Sequence, residues 1–139
     1  MATAPRSGAA TLPVRPGEDP WTGAELAEVR EALEMDAAGL RRDIEQAEWQ
    51  IANRLEDGTR DAGDDEADAG AKTFEREHEF AMTSNARRLL EQTERALGRI
   101  DAGTYGICES CGQPIGKARL QAFPQATLCV TCKQRQERR

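Results

Sequence analysis

Two stretches of the chain repeat apolar residues at the spacing of a helix face. In the first, Leu26, Val29, Leu33, Leu40, Ile44, Ala47 and Ile51 follow in steps of three, four and seven, the seam of a coiled-coil strand. Thr22 suits the N-cap of this helix, and Glu25 three positions on completes a capping box. Gly39 interrupts the seam mildly, and the pattern fades at Leu55. The following EDGTRDAGDDEADAG is rich in aspartate and glycine, poor helix residues, and is expected to end the helix and turn the chain. A second pattern starts near Ala71 and runs through Met82, Ala86, Leu89, Thr93, Ala96 and Ile100, flanked by Phe74, Leu90 and Leu97. Glu91 and Arg95 stand in the favourable i, i+4 order, and Gly103 is a natural stop.

Two amphipathic helices joined by a short polar loop bury their seams most simply by folding back on each other, because a short loop closes at small entropic cost. The expected fold is therefore mainly α. A long antiparallel helical hairpin, a coiled coil over residues 21–103 with an acidic tip near 57–70, precedes a small four-cysteine zinc-finger module and a short C-terminal helix over 104–139. A helix over residues 22–57 would extend about 54 Å. Pairing with a second chain is the alternative, and a monomer is expected. Residues 1–20, rich in Pro, Ala, Gly and Thr without an apolar period, are expected to form a disordered leader.

Charged residues make up 32% of the 139, against two Trp, one Tyr and three Phe, which suits a thin helical core better than a broad one. No apolar run is long enough to span a membrane, and the N-terminus lacks the apolar stretch of a secretory signal. The cytoplasm is therefore the expected compartment, where cysteines stay reduced. A net charge of −6 disfavours non-specific binding to nucleic acid or anionic membrane. The charge is uneven, however. Residues 56–70 carry seven acidic side chains against Arg60, and residues 117–139 carry six basic ones against Glu137, which points to two separate contacts with a partner.

The strongest chemical signal is CESCGQPIGKARLQAFPQATLCVTC. Cys108 and Cys111 form one C-x-x-C pair, Cys129 and Cys132 another, with seventeen residues between them, a spacing suited to zinc. Each tight turn can present two sulfurs to one metal, and four protein thiolates leave no open position for water or substrate, so the site reads as structural. A redox pair would need a βαβ setting that the pattern lacks, and an iron–sulfur cluster fits the paired spacing less well. A DNA-reading finger would need a basic face, whereas only Lys117 and Arg119 lie between the pairs.

The stretch YGICESCGQPIGKARLQAFPQATLCVTCK resembles the DksA/TraR family of bacterial transcription factors. Aromatic-Gly-x-Cys-x-x-Cys-Gly, Ile-Gly, Arg-Leu, the proline before the third cysteine and Leu-Cys all follow that family's pattern. The resemblance covers about residues 65–133, while the leader and first helix match only in general character. It implies a regulator that binds RNA polymerase rather than DNA, its coiled coil entering the secondary channel and its tip approaching the active centre. In register with the cysteines, Asp65 and Asp68 match the family's Asp-x-x-Asp-x-Ala tip, and Gly70 stands in place of the alanine. The resemblance also implies guanosine tetraphosphate bound between factor and polymerase, with Lys133 and Arg135 as candidate contacts. Alternative readings are a zinc-finger adaptor between proteins without tip activity and, less favoured, a DNA-binding finger.

An enzyme is not expected. His78 is the only histidine and sits in a charged helix, and nothing on an exposed tip raises the pKa of one aspartate against the other. Trp21 and Trp49 are expected to pack against neighbouring helices, and Phe123 to fill the small core of the finger.

Overall fold

The structure, a computed structural model, describes residues 4–60 and 66–138, with side chains for 8–54 and 69–138. Among the described residues five helices follow in order: α1 (Ala4–Thr11), α2 (Gly23–Arg60), α3 (Glu66–Ala102), α4 (Lys117–Ala122) and α5 (Val130–Glu137). Among the described residues the only β pairing is an isolated antiparallel bridge between Ile107 and Pro114. The chain divides into two compact units, Met1–Ala37 with Gln92–Arg139, and Ala38–Glu91.

The start of α2 follows from its capping box. The Thr22 backbone N–H donates to Glu25 Oε1 at 2.9 Å, and the Glu25 N–H donates back to Thr22 Oγ1 at 3.1 Å. All seven predicted α2 seam residues are buried or half-buried, and Ala37 fills the gap between Leu33 and Leu40. Helix α3 ends at Ala102, where the Thr104 N–H returns to the Arg99 carbonyl at 2.9 Å. Within each unit the two long helices run antiparallel. Arg30 meets Asp101 in the first, while Glu48 meets Arg87 and Arg54 meets Glu79 in the second. Exposed pairs of this kind contribute about 0–1 kcal/mol each, so they mark the register more than they hold it.

The seam of α3 differs from the prediction. Ala86, Thr93, Ala96 and Ile100 are turned from solvent as expected, and Lys72, Arg76, Glu79, Thr83, Leu90, Gln92, Leu97 and Arg99 join them, whereas Met82 is 61% exposed, Phe74 72% and Leu89 38%. Both sets repeat every seven residues and share Ala86, Thr93 and Ile100; the alternate positions move on by one residue, from Met82 and Leu89 to Thr83 and Leu90. Trp49, expected to pack, is also exposed, because it lies on the outer face between the seam positions Ala47 and Ile51.

The core of the first unit gathers Trp21, Val29 and Leu33 with Ala96 and Ile100 from α3 and Tyr105, Ile115 and Leu120 from the C-terminal module. Trp21 and Tyr105 meet with ring centroids 6.1 Å apart at a tilt of 60°, a favourable edge-biased contact. Ala9 and Leu12 are buried in the same cluster. The leader is thus not without structure over its described part: α1 and the segment after it pack against the core. Its composition hid this, because two apolar residues suffice when a ready-made surface receives them.

Part of the stretch 57–70, expected to turn the chain, is helical, and residues 61–65 lie outside the described ones. Helix α2 continues to Arg60 and α3 has begun by Glu66. Helix α3 opens at Glu66, and Ala69 and Ala71, good helix formers, continue it.

Candidate metal centre

Each cysteine pair is presented by a different local structure. The Cys108 N–H donates to the Gln113 carbonyl at 2.8 Å and the Gly112 N–H to the Cys108 carbonyl at 3.0 Å, closing a tight turn around Cys108 and Cys111. Cys129 caps α5 in extended conformation and Cys132 lies in its first turn, so a spacing of three puts both sulfurs on one side. All four Sγ atoms lie within 4.8 Å of one another. Cys111 Sγ and Cys129 Sγ are 3.8 Å apart. Zinc–sulfur bonds of about 2.3 Å in a tetrahedron place sulfurs about 3.8 Å apart, so the donor set fits zinc in both chemistry and size.

The electrostatics agree. Burial pushes the Cys108 thiol up, but N–H groups of Cys111, Cys129 and Ser110 outweigh it and bring its pKa to about 6. The Cys129 N–H to Cys108 Sγ distance is 3.4 Å. At Cys132 the Ser110 hydroxyl pulls the pKa down, yet Cys129, burial, Cys108 and Cys111 prevail and raise it to about 11. Four thiolates this close repel one another, and a divalent cation is what allows all four to ionise. Cys108, Cys129 and Cys132 are buried, and Cys111 is exposed.

Several bonds tie this module to the end of α3. Glu109 accepts from Arg99 Nη2 at 2.5 Å and Arg95 Nη1 at 3.4 Å. Tyr105 donates its hydroxyl to the Pro124 carbonyl at 2.7 Å, and Gln92 Nε2 donates to the Gln125 carbonyl at 2.7 Å. Phe123, expected in the finger's core, is 58% exposed, with the Arg119 guanidinium 5.8 Å from its ring centre. Leu120 and Tyr105 occupy the interior instead.

The remaining predicted site residues are not brought to the metal centre as ligands. Asp65 lies outside the described residues. Asp68 falls in the first turn of α3, its side chain outside the described set, and Gly70 sits exposed within α3 with nothing within 4 Å of the place a Cβ would take. Lys133 and Arg135 are exposed on α5, and His78 is exposed on α3. Arg135 does border the sulfurs. With Arg15, Gln113 and Thr131 it lines a cavity of about 320 Å³ that reaches Cys111, Cys129 and Cys132. Arg15 and Glu18 were missed as partners of the finger, since no periodicity or spacing links the leader to residues a hundred positions later.

A mainly helical chain with an antiparallel helix pair and a closed four-thiolate module is the class these features define. Residues 103–138 match the prokaryotic dksA/traR C4-type zinc finger. The RNA polymerase-binding transcription factor DksA of Escherichia coli K12 is 31% identical over 119 residues, covering 86% of this chain and 76% of that one. The factor of the same name from Caulobacter vibrioides is 41% identical over 75 residues, 54% of this chain, a match that spans only about half (53%) of that relative's length. Transcription factor DksA2 from Pseudomonas aeruginosa superposes with a TM-score of 0.66 at 32% identity, covering 84% of this chain and 85% of that one. The chain belongs to the DksA/TraR family.

Proposed function

We propose that this chain is a non-enzymatic cytoplasmic regulator that binds RNA polymerase and modulates transcription initiation. The observation that carries the reading is its likeness, along 86% of its length, to a relative named for polymerase binding. The C4-type finger that both sequence match and sulfur geometry support adds to it. The finger has no open coordination position and no polarised substrate site, so its work is structural: zinc holds the segment after α3 in place because metal binding and local folding are coupled.

In this reading Asp65 and Asp68, at the junction of α2 and α3, act by charge inside the polymerase secondary channel, where basic or metal-bearing groups would meet them. Gly70, exposed in the helix that follows, leaves that stretch without the methyl of an alanine. Lys133 and Arg135, exposed on α5, are the candidate contacts for polymerase or for guanosine tetraphosphate held between the two proteins.

The test is transcription in vitro with purified polymerase, comparing the wild type with Asp65→Asn/Asp68→Asn, each with and without guanosine tetraphosphate. The double variant is expected to bind polymerase while losing its effect on initiation. Binding with identical transcription by both proteins would favour an adaptor without tip activity, and no binding would refute the reading.

A further inference from the structure

The segment after α1 lies on the backbone that carries the first cysteine pair. Leu12 is buried, and Pro13 approaches Gly106 so closely that a Cβ there would sit 3.7 Å from the Pro13 carbonyl and 3.2 Å from Leu120 Cδ1. At Gly116 a Cβ would lie 3.0 Å from Arg15 Cδ. Both glycines have positive φ, 97° and 112°, so a side chain is disfavoured there by backbone and neighbour alike. Glu18 completes the contact. Its Oε1 accepts from the Lys117 N–H at 2.9 Å and the Arg15 N–H at 2.8 Å, and its Oε2 accepts from the Ala118 N–H at 3.1 Å. Nearby, Lys117 Nζ reaches Glu25 Oε1 at 2.7 Å and the Pro20 carbonyl at 3.3 Å.

The receiving surface is itself held by the cysteines. Residues 106–116 form a narrow hairpin with the Ile115 N–H on the Gly106 carbonyl at 2.8 Å, and Cys108 and Cys111 stand at its turn. From this we infer that residues 12–20 are a strap whose closure depends on the metal: zinc orders the hairpin, the hairpin seats the strap, and loss of zinc lets the strap go. Linkage is reciprocal, so a strap that favours the metal-bound finger must also tighten zinc binding by the same factor. The inference rests on zinc occupying the four-thiolate site and is independent of polymerase binding.

The experiment uses the full chain, with zinc measured by elemental analysis before and after treatment with a chelator. Amide hydrogen exchange is followed at Leu12, Arg15 and Glu18, whose N–H groups are hydrogen-bonded, with residues 40–51 of α2 as reference. Removal of zinc is expected to speed exchange in the strap by at least about tenfold and leave the reference unchanged. In a second arm Glu18→Gln, which weakens charge-assisted bonds to two N–H groups of α4, is expected to raise the zinc Kd, read by competition with a chelator at equilibrium, about tenfold. Unchanged exchange in a strap whose zinc is verifiably gone would overturn the inference while leaving the zinc site intact. An unchanged zinc Kd in a folded Glu18→Gln protein would overturn it as well. A chain that never takes up zinc would refute site and strap together. Should the variant fail to fold, the exchange arm on the wild type decides alone.

Discussion

Thr83→Asp should cost far more stability than Met82→Asp, although the two positions adjoin and methionine is the more apolar residue. Thr83 is 5% exposed and its hydroxyl donates to the Glu79 carbonyl at 2.8 Å. An aspartate there would lose solvent without gaining a partner. It would also face the Glu79 carboxylate one turn away, whose Oε2 is already buried without a hydrogen bond. An uncompensated buried charge costs about 3–5 kcal/mol, and a like-charged i, i+4 neighbour adds about 0.2–0.5 kcal/mol. Met82 is 61% exposed, so its replacement forfeits little burial and only about 0.5 kcal/mol of helix propensity. For a chain of this size 1 kcal/mol moves Tm by roughly 3–4 °C, giving a drop of about 10–20 °C for Thr83→Asp and about 2 °C for Met82→Asp. Thermal unfolding of the two variants by far-UV circular dichroism at neutral pH makes the comparison. An equal or larger loss for Met82→Asp would mean that Met82 rather than Thr83 is the residue α3 buries, and the observed seam would be refuted.

Two further outcomes follow from the finger and its clamp. Hydrogen bonding from Lys117 and the Thr22 N–H holds the Glu25 pKa at about 2, below its ordinary 4.5. The Glu25 contribution to stability is therefore fully present above pH 4.5 and disappears as pH falls from 4.5 toward 2. The Tm difference between wild type and Glu25→Gln should shrink across that window, and a constant difference would contradict it. Cys111→Ser leaves three thiolates for the metal and should surrender zinc to a colorimetric chelator at least about tenfold faster than the wild type, whereas retention at the wild-type rate would show that Cys111 is not a ligand.

The metal centre was legible because its determinants are local. A C-x-x-C pair commits two sulfurs to one turn whatever surrounds it, and only the meeting of the two pairs needed the fold. The α2 seam and its Thr22–Glu25 capping box were legible for the same reason: both are relations between residues three or four apart, which helix geometry settles alone. In α3 the same logic failed, because Met82 and Thr83 are both compatible with a helical stripe and polar residues such as Glu79 and Thr83 carry no apolar signal. The partner helix chose between them. Phe123 likewise yielded the finger's interior to Leu120 and Tyr105, a competition for space that composition does not rank.

The amino-acid sequence by itself determined the helical periods, the cap and stop of the long helices and the four-sulfur ligand set, all short-range consequences of backbone geometry and coordination chemistry. Tertiary structure alone decided the register of α3 and the fate of the leader. The Glu18 carboxylate meets the Lys117 N–H across 99 positions of sequence, and the surface that buries Leu12 exists only once Trp21, Tyr105 and Leu120 have assembled. A weakly apolar segment cannot advertise a partner that folding has yet to build, since the free energy of its burial belongs to both surfaces at once.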